Sequence, residues 1–172
     1  GICMCIIGLV SLIALGQWEI DFQAQNPIAQ LKSIASEIEF LTGEGDSILT
    51  FNNSVAVECN RPVLQGDEMN VLTYHPDWDR KRCELFHVLN VDMLEEALIE
   101  NELRAVLITD YSFIGNFPTF YNPGEEGARP RIMAALDKHY HRINVFNGFG
   151  YMGEPAELYL PLNKKRHINR TD

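Results

Sequence analysis

An α/β fold, with an open, mainly parallel sheet and flanking helices, is the class this sequence predicts, and three observations carry it. Apolar residues recur at the helical period over residues 28–41, and a short β-rich run follows at 47–51. The segment AVLIT at 105–109 is almost wholly apolar, as suits a strand covered on both faces in the middle of a parallel sheet. A second helical pattern starting at Pro130 is followed by two more strand-like runs. Strands alternating with helices place the helices against the faces of the sheet.

The chain opens with GICMCIIGLVSLIALG, which carries no charge over its sixteen residues. As a helix it would cover roughly 24 Å, against a hydrocarbon core of about 30 Å. Ala14-Leu15-Gly16 resembles a signal cleavage site, but no Met, Lys or Arg stands ahead of it. Every side of such a helix is apolar, which argues against a core helix with one solvated face. The expectation is the end of a transmembrane helix over 1–18, with a signal remnant and a core helix as alternatives. An α/β domain over 19–163 and a basic polar tail over 164–172 follow.

Asn26-Pro27 starts the first helix of that domain, a capping amide before a Pro at the first helical position. Ile28, Leu31, Ile34, Ala35, Ile38 and Leu41 form its apolar face, and Gly43 ends it. After the Gly45-Asp46 turn, Ser47 to Phe51 reads as a strand. Leu85 to Leu89 (LFHVL) reads as a second strand, and Asn90 and Asp92 then favour a helix lasting to about Glu102. The helix from Pro130 to about His141 uses Ile132, Met133, Leu136 and Tyr140. Ile143 to Phe146 and Glu157 to Leu162 close the sheet, the latter expected at an edge because Pro161 cannot donate to a ladder. Two long loops, 60–84 and 111–128, interrupt the alternation, and loops of that length commonly carry binding surfaces.

The net charge of −10 argues against a nucleic-acid partner, whose phosphates attract cationic surfaces. The basic cluster in the tail, Lys164-Lys165-Arg166, reads as a solvated end, with contact to anionic lipid as the alternative. Of four cysteines, Cys3 and Cys5 lie in the apolar run, and Cys59 and Cys83 could bridge in an oxidising compartment, although nothing in the spacing demands it.

The motifs point away from several chemistries. Gly148-Phe149-Gly150-Tyr151-Met152-Gly153 has the spacing of a dinucleotide loop but leads into a strand, so it reads as a glycine-rich turn. His139 and His141 would point to different faces of a helix, and no metal signature supports them. His75 and His87 stand alone. There is no Gly-x-Ser-x-Gly elbow, and Asp77, Asp79, Glu125 and Glu126 read as solvated loop carboxylates. No cofactor or metal is expected in this chain.

The stretch with the most functional promise is Arg61 to Pro76, RPVLQGDEMNVLTYHP, placed near the C-terminal end of a strand, where open α/β sheets bind ligands. Glu68, Tyr74 and His75 are its candidates for facing a ligand or acceptor. The competing structural reading has Met69, Val71 and Tyr74 packed inward.

Val55-Ala56-Val57-Glu58, Arg61-Pro62, Gly66-Asp67-Glu68-Met69-Asn70 and Tyr74-His75-Pro76, with Phe86-His87-Val88-Leu89-Asn90 and the strand at 105–109, carry a resemblance. The chain resembles the region after the last membrane helix in bacterial multispanning glycosyltransferases of the dolichyl-phosphate-mannose-protein mannosyltransferase-like group, relatives of the aminoarabinose transferase of lipid A. The likeness covers most of residues 26–162. It departs at Asp67, where the pattern has an apolar residue, and at Asn70, where it has Gly. The resemblance implies a parent enzyme that moves a sugar from a polyprenyl-phosphate carrier to an acceptor on the extracytoplasmic side of the membrane. Its acidic catalytic residue would lie upstream of residue 1. Residues 19–163 would then be a lid or acceptor-facing domain without chemistry of its own, in contact with lipid and carrier through the parent chain. The rival class is a membrane-tethered or secreted α/β domain that binds a carbohydrate or other solute with no transferase attached.

Overall fold

The computed structural model describes residues 27–100, 102–109, 112, 125–149 and 153–162. The expected membrane run, the basic tail and most of the second long connection lie outside these residues. Among the described residues no helix is long and apolar enough to cross a membrane.

Helix α1 (Pro27–Leu41) starts on its proline and turns Ile34, Ala35 and Ile38 inward. A turn closed by Asp46 N–H to the Gly43 carbonyl at 3.0 Å, and by Gly43 N–H to Asp46 Oδ2 at 2.8 Å, delivers the chain to β1 (Ile48–Thr50). Helix α2 (Asn53–Glu58) follows, its Asn52 cap accepting from Ser54 N–H. Next come a 3₁₀ turn (Asn70–Thr73), α3 (Arg80–Phe86), α4 (Val91–Ile99) and β2 (Ala105–Thr109). Helix α5 (Glu125–His139) passes directly into β3 (Tyr140–Phe146), and β4 (Ala156–Pro161) ends the described chain.

The α/β class holds, but the sheet is mixed rather than mainly parallel. Its order is β1-β2-β4-β3: β1 and β2 are parallel, and β4 runs antiparallel to both β2 and β3. The cause is the glycine-rich segment after β3. Gly148 and Gly153 both take positive φ, 74° and 79°, and the short connection folds β4 back along β3 as a hairpin. A connection of residues 147–155 is too short for the crossover that parallel neighbours need.

Side chains alternate across the sheet and so divide the core in two. Leu49, Val106, Ile108 and Tyr159 meet α4 and α5 on one face, together with Tyr74 and Leu89. Ile48, Ala105, Leu107 and Leu158 meet α1 and α2 on the other. This double cover explains why β2 reads as an uninterrupted apolar run.

Several sequence expectations change. LFHVL is not a strand. Asp79 caps α3 by accepting Arg82 N–H at 2.9 Å, Leu85 and Phe86 finish that helix on its exposed side, and His87 ends it in the left-handed region at φ 54°. Only Val88 and Leu89 go on as buried extended chain. Helix α5 begins before Pro130, which therefore sits within it, not at its start. Strand β4 is central, and β3 forms the edge. Pro161 is tolerated because pairing with β2 stops at Tyr159, leaving the proline beyond that ladder and opposite Tyr140 alone. His139 closes α5 and His141 lies in β3, so the two do not share a helix. Cys59 and Cys83 are free, each buried, and form no bridge.

The first long connection is more structured than its sequence suggests. Pro62 to Leu64 run along the outer edge of β1: Ile48 N–H donates to the Pro62 carbonyl and Leu64 N–H to the Ile48 carbonyl, each at 2.9 Å. Further on, Tyr74 bridges to Leu89, with Leu89 N–H on the Thr73 carbonyl at 2.7 Å.

Candidate functional site

The loop of residues 61–76 is held at its start by Arg61. This buried guanidinium donates from Nε to Thr42 Oγ1 at 2.8 Å, from Nη1 to the carbonyls of Cys59 and Asn60, and from Nη2 to those of Glu39 and Thr42. All five N–H groups of an arginine are thereby directed at neutral oxygens, four of them carbonyls around the C-terminal ends of α1 and α2, where helix dipoles favour a cation. Arg61 is thus a clamp between two helix ends and the loop.

Gly66 makes the next bend at φ 95°, a conformation that side chains other than glycine's rarely adopt. A Cβ there would lie 3.0 Å from Leu89 Cδ2, so the glycine also lets the loop approach the chain leaving α3.

Asp67 follows, fully buried at the carboxyl end of β1. Its Oδ2 accepts from Thr50 N–H, the last strand residue, and its Oδ1 from Thr73 Oγ1, both at 3.3 Å. No cation is among these partners, and burial pushes its carboxyl up to about 8, against the opposing pull of the two hydrogen bonds and with a further push from Glu68. At neutral pH this acid carries its proton.

Glu68 faces outward. Its Oε2 accepts Gly66 N–H at 2.9 Å, so its own loop holds the exposed carboxylate, and its backbone carbonyl accepts from Asn53 Nδ2 of α2. Tyr74 goes the other way: it is 2 % exposed and meets Phe51 edge to face, with ring centroids 5.8 Å apart. It is a core residue and does not face an acceptor. Met69, expected to pack inward, is exposed.

His75 is half-buried and stacked on Trp78 at 4.0 Å. Arg82 also lies over Trp78, with its guanidinium carbon 3.7 Å from the ring centroid. Two groups so close cannot share one face, so the indole is held between imidazole and guanidinium. Burial lowers the His75 pKa, a hydrogen bond to the Leu72 carbonyl opposes this, and Arg82 adds to it, so the ring is neutral at pH 7.

The three candidates therefore do not converge. Glu68 presents a fixed carboxylate to the surface, Tyr74 supports the core, and His75 belongs to an aromatic and cationic stack. Such a carboxylate can accept hydrogen bonds from hydroxyl or amine donors. No nucleophile stands against it in the hydrogen bonds described. Among the described residues no group of three His, Cys, Asp or Glu side chains is placed to hold a metal.

Behind Gly66 opens a cleft of about 400 Å³ between the Leu64–Gly66 segment, α3 and α4. Cys83, Met93 and Ala97 contribute to its wall, and Arg80 pairs with Glu96 across it. Burial raises the Cys83 thiol pKa, so it remains protonated. Neither this cleft nor the roles of Arg61 and Asp67 were apparent in the sequence.

Comparison with protein-family models, with curated proteins and with solved structures finds no match to this chain.

Proposed function

We propose that this chain is the extracytoplasmic C-terminal domain of a membrane glycosyltransferase that draws sugar from a polyprenyl-phosphate carrier, with the catalytic centre upstream of residue 1. The observation that carries the reading is the segment Arg61 to Pro76. It holds the motifs of the resemblance, and its one exposed candidate carboxylate, Glu68, is held by the Gly66 N–H, with the Glu68 backbone carbonyl on Asn53 Nδ2. The domain's part is to face acceptor or carrier with that surface; the sugar transfer itself belongs to the parent chain. The upstream coding sequence tests the family. Several further hydrophobic spans with an acidic residue in the first outer loop are expected, whereas a Met and a basic stretch directly before Gly1 would overturn the assignment.

The cleft beside α3 and α4 favours a second reading, a membrane-tethered or secreted domain that binds a carbohydrate or other solute. Calorimetric titration with simple sugars separates the two. Saturable heat that is lost in Met93→Trp, which fills the cleft, supports the second reading, and no heat removes it.

A further inference from the structure

Helix α3 is two-sided: one side lines the cleft, and the other turns outward, where Arg82 and Phe86 touch Trp78. Successive residues turn by about 100° around a helix, so Arg80, Cys83 and Glu84 fall on one side and Lys81, Arg82, Leu85 and Phe86 on the other. The first side lines the cleft toward α4, together with His87. The second faces out: Leu85 is 73 % exposed, Phe86 56 %, and Lys81 and Arg82 are exposed as well. The apolar surface continues beyond the helix, since Phe86 meets Trp78 edge to face at 5.7 Å.

The charges divide in the same way. Glu84 lies on the cleft side, Asp79 is engaged as the cap of α3, and Arg80 is paired with Glu96. The outward side of α3 carries two cations and no carboxylate, in a chain whose net charge is −10. Exposed Leu and Phe flanked by Lys and Arg, with a Trp beside them, form the combination that settles at a lipid interface, apolar groups below the headgroups and cations among the phosphates.

We propose that the outward side of α3, formed by Lys81, Arg82, Leu85 and Phe86, lies against a bilayer containing anionic phospholipid. This rests on the membrane-tethered reading given above. Two apolar side chains and two cations are too few to anchor a protein by themselves. On a domain already tethered they need only choose which face turns to the bilayer, because tethering raises the effective concentration of the surface.

The test uses the 172-residue chain with Trp18→Phe, which leaves Trp78 as the only tryptophan of two. The protein is reconstituted into vesicles of brominated phosphatidylcholine with or without phosphatidylglycerol. Flotation reports the tether, and quenching of Trp78 by the brominated chains reports the contact. The expected result is flotation in both lipids, with Trp78 quenched more strongly when phosphatidylglycerol is present and less so at high salt. Lys81→Gln should weaken the phosphatidylglycerol-dependent part by about fivefold, and Leu85→Ser should remove most of the quenching. Both side chains are exposed, so circular dichroism should match the parent. Flotation without quenching, equal quenching in the two lipids, or quenching unaffected by both variants would overturn the contact while leaving the tether intact. A chain that does not float would overturn both.

Discussion

At the scale of single residues, the loop is governed by two buried groups with opposite electrostatic solutions. The Arg61 guanidinium is met by helix-end carbonyls, whereas Asp67 gives up its charge because it is buried with only two neutral donors in reach. Lysine cannot reproduce the five-donor fork. Arg61→Lys should therefore lower unfolding stability by about 2–3 kcal/mol, measured by urea denaturation. For Asp67 the sign follows from linkage: its folded pKa of about 8 lies above the ordinary 3.8, so the folded state holds a proton that the unfolded chain releases. Its contribution is full below the ordinary value, declines as pH rises through this window, and levels off above about 8. Asp67→Asn should flatten that decline, so its stability relative to the parent rises between pH 5 and pH 8, roughly the span between the two values. An unchanged slope would mean that Asp67 is ionised in the fold.

At the scale of elements, legibility depended on whether the local signals agreed. Helix α1 could be read because Asn26-Pro27, a 3.6-residue apolar period and Gly43 all pointed the same way. Helix α4 could be read for a similar reason: Asn90 accepts Met93 N–H at 2.9 Å and also donates from Nδ2 to the Trp78 carbonyl at 2.8 Å. Asn90→Ala should cost about 1–2 kcal/mol, seen in thermal or chemical denaturation, and more than a cap with a single bond. LFHVL was misread because five apolar or aromatic positions straddle a helix end. Nothing local distinguishes a left-handed His87 from a strand residue, and the exposure of Leu85 and Phe86 is a tertiary fact. The Gly66 bend was legible as a turn, but its close approach to Leu89 was not. Gly66→Ala should destabilise by more than about 1 kcal/mol, because it combines an unfavourable φ with a 3.0 Å contact.

At the scale of the whole molecule, the sequence conveyed the class of the fold and the position of its central strand, but not the direction of the sheet. Periodicity reports which faces are buried, and β2 is covered on both faces whether its neighbours run parallel or antiparallel. The connection between β3 and β4 decides the direction, and its glycines have the spacing of a nucleotide loop, which masks their role in turning the chain. The candidate loop was legible as a segment and illegible as a surface. The sequence set Glu68, Tyr74 and His75 side by side, whereas the fold sends the tyrosine into the core, stacks the histidine on Trp78 and leaves the glutamate at the surface. Of the three, only Glu68 is placed to meet a ligand, and the most direct measurement is sugar transfer by the proposed full-length glycosyltransferase carrying Glu68→Gln. Lower transfer at unchanged expression is the predicted result, and transfer equal to that of the parent would contradict an acceptor-facing or carrier-facing role for this loop.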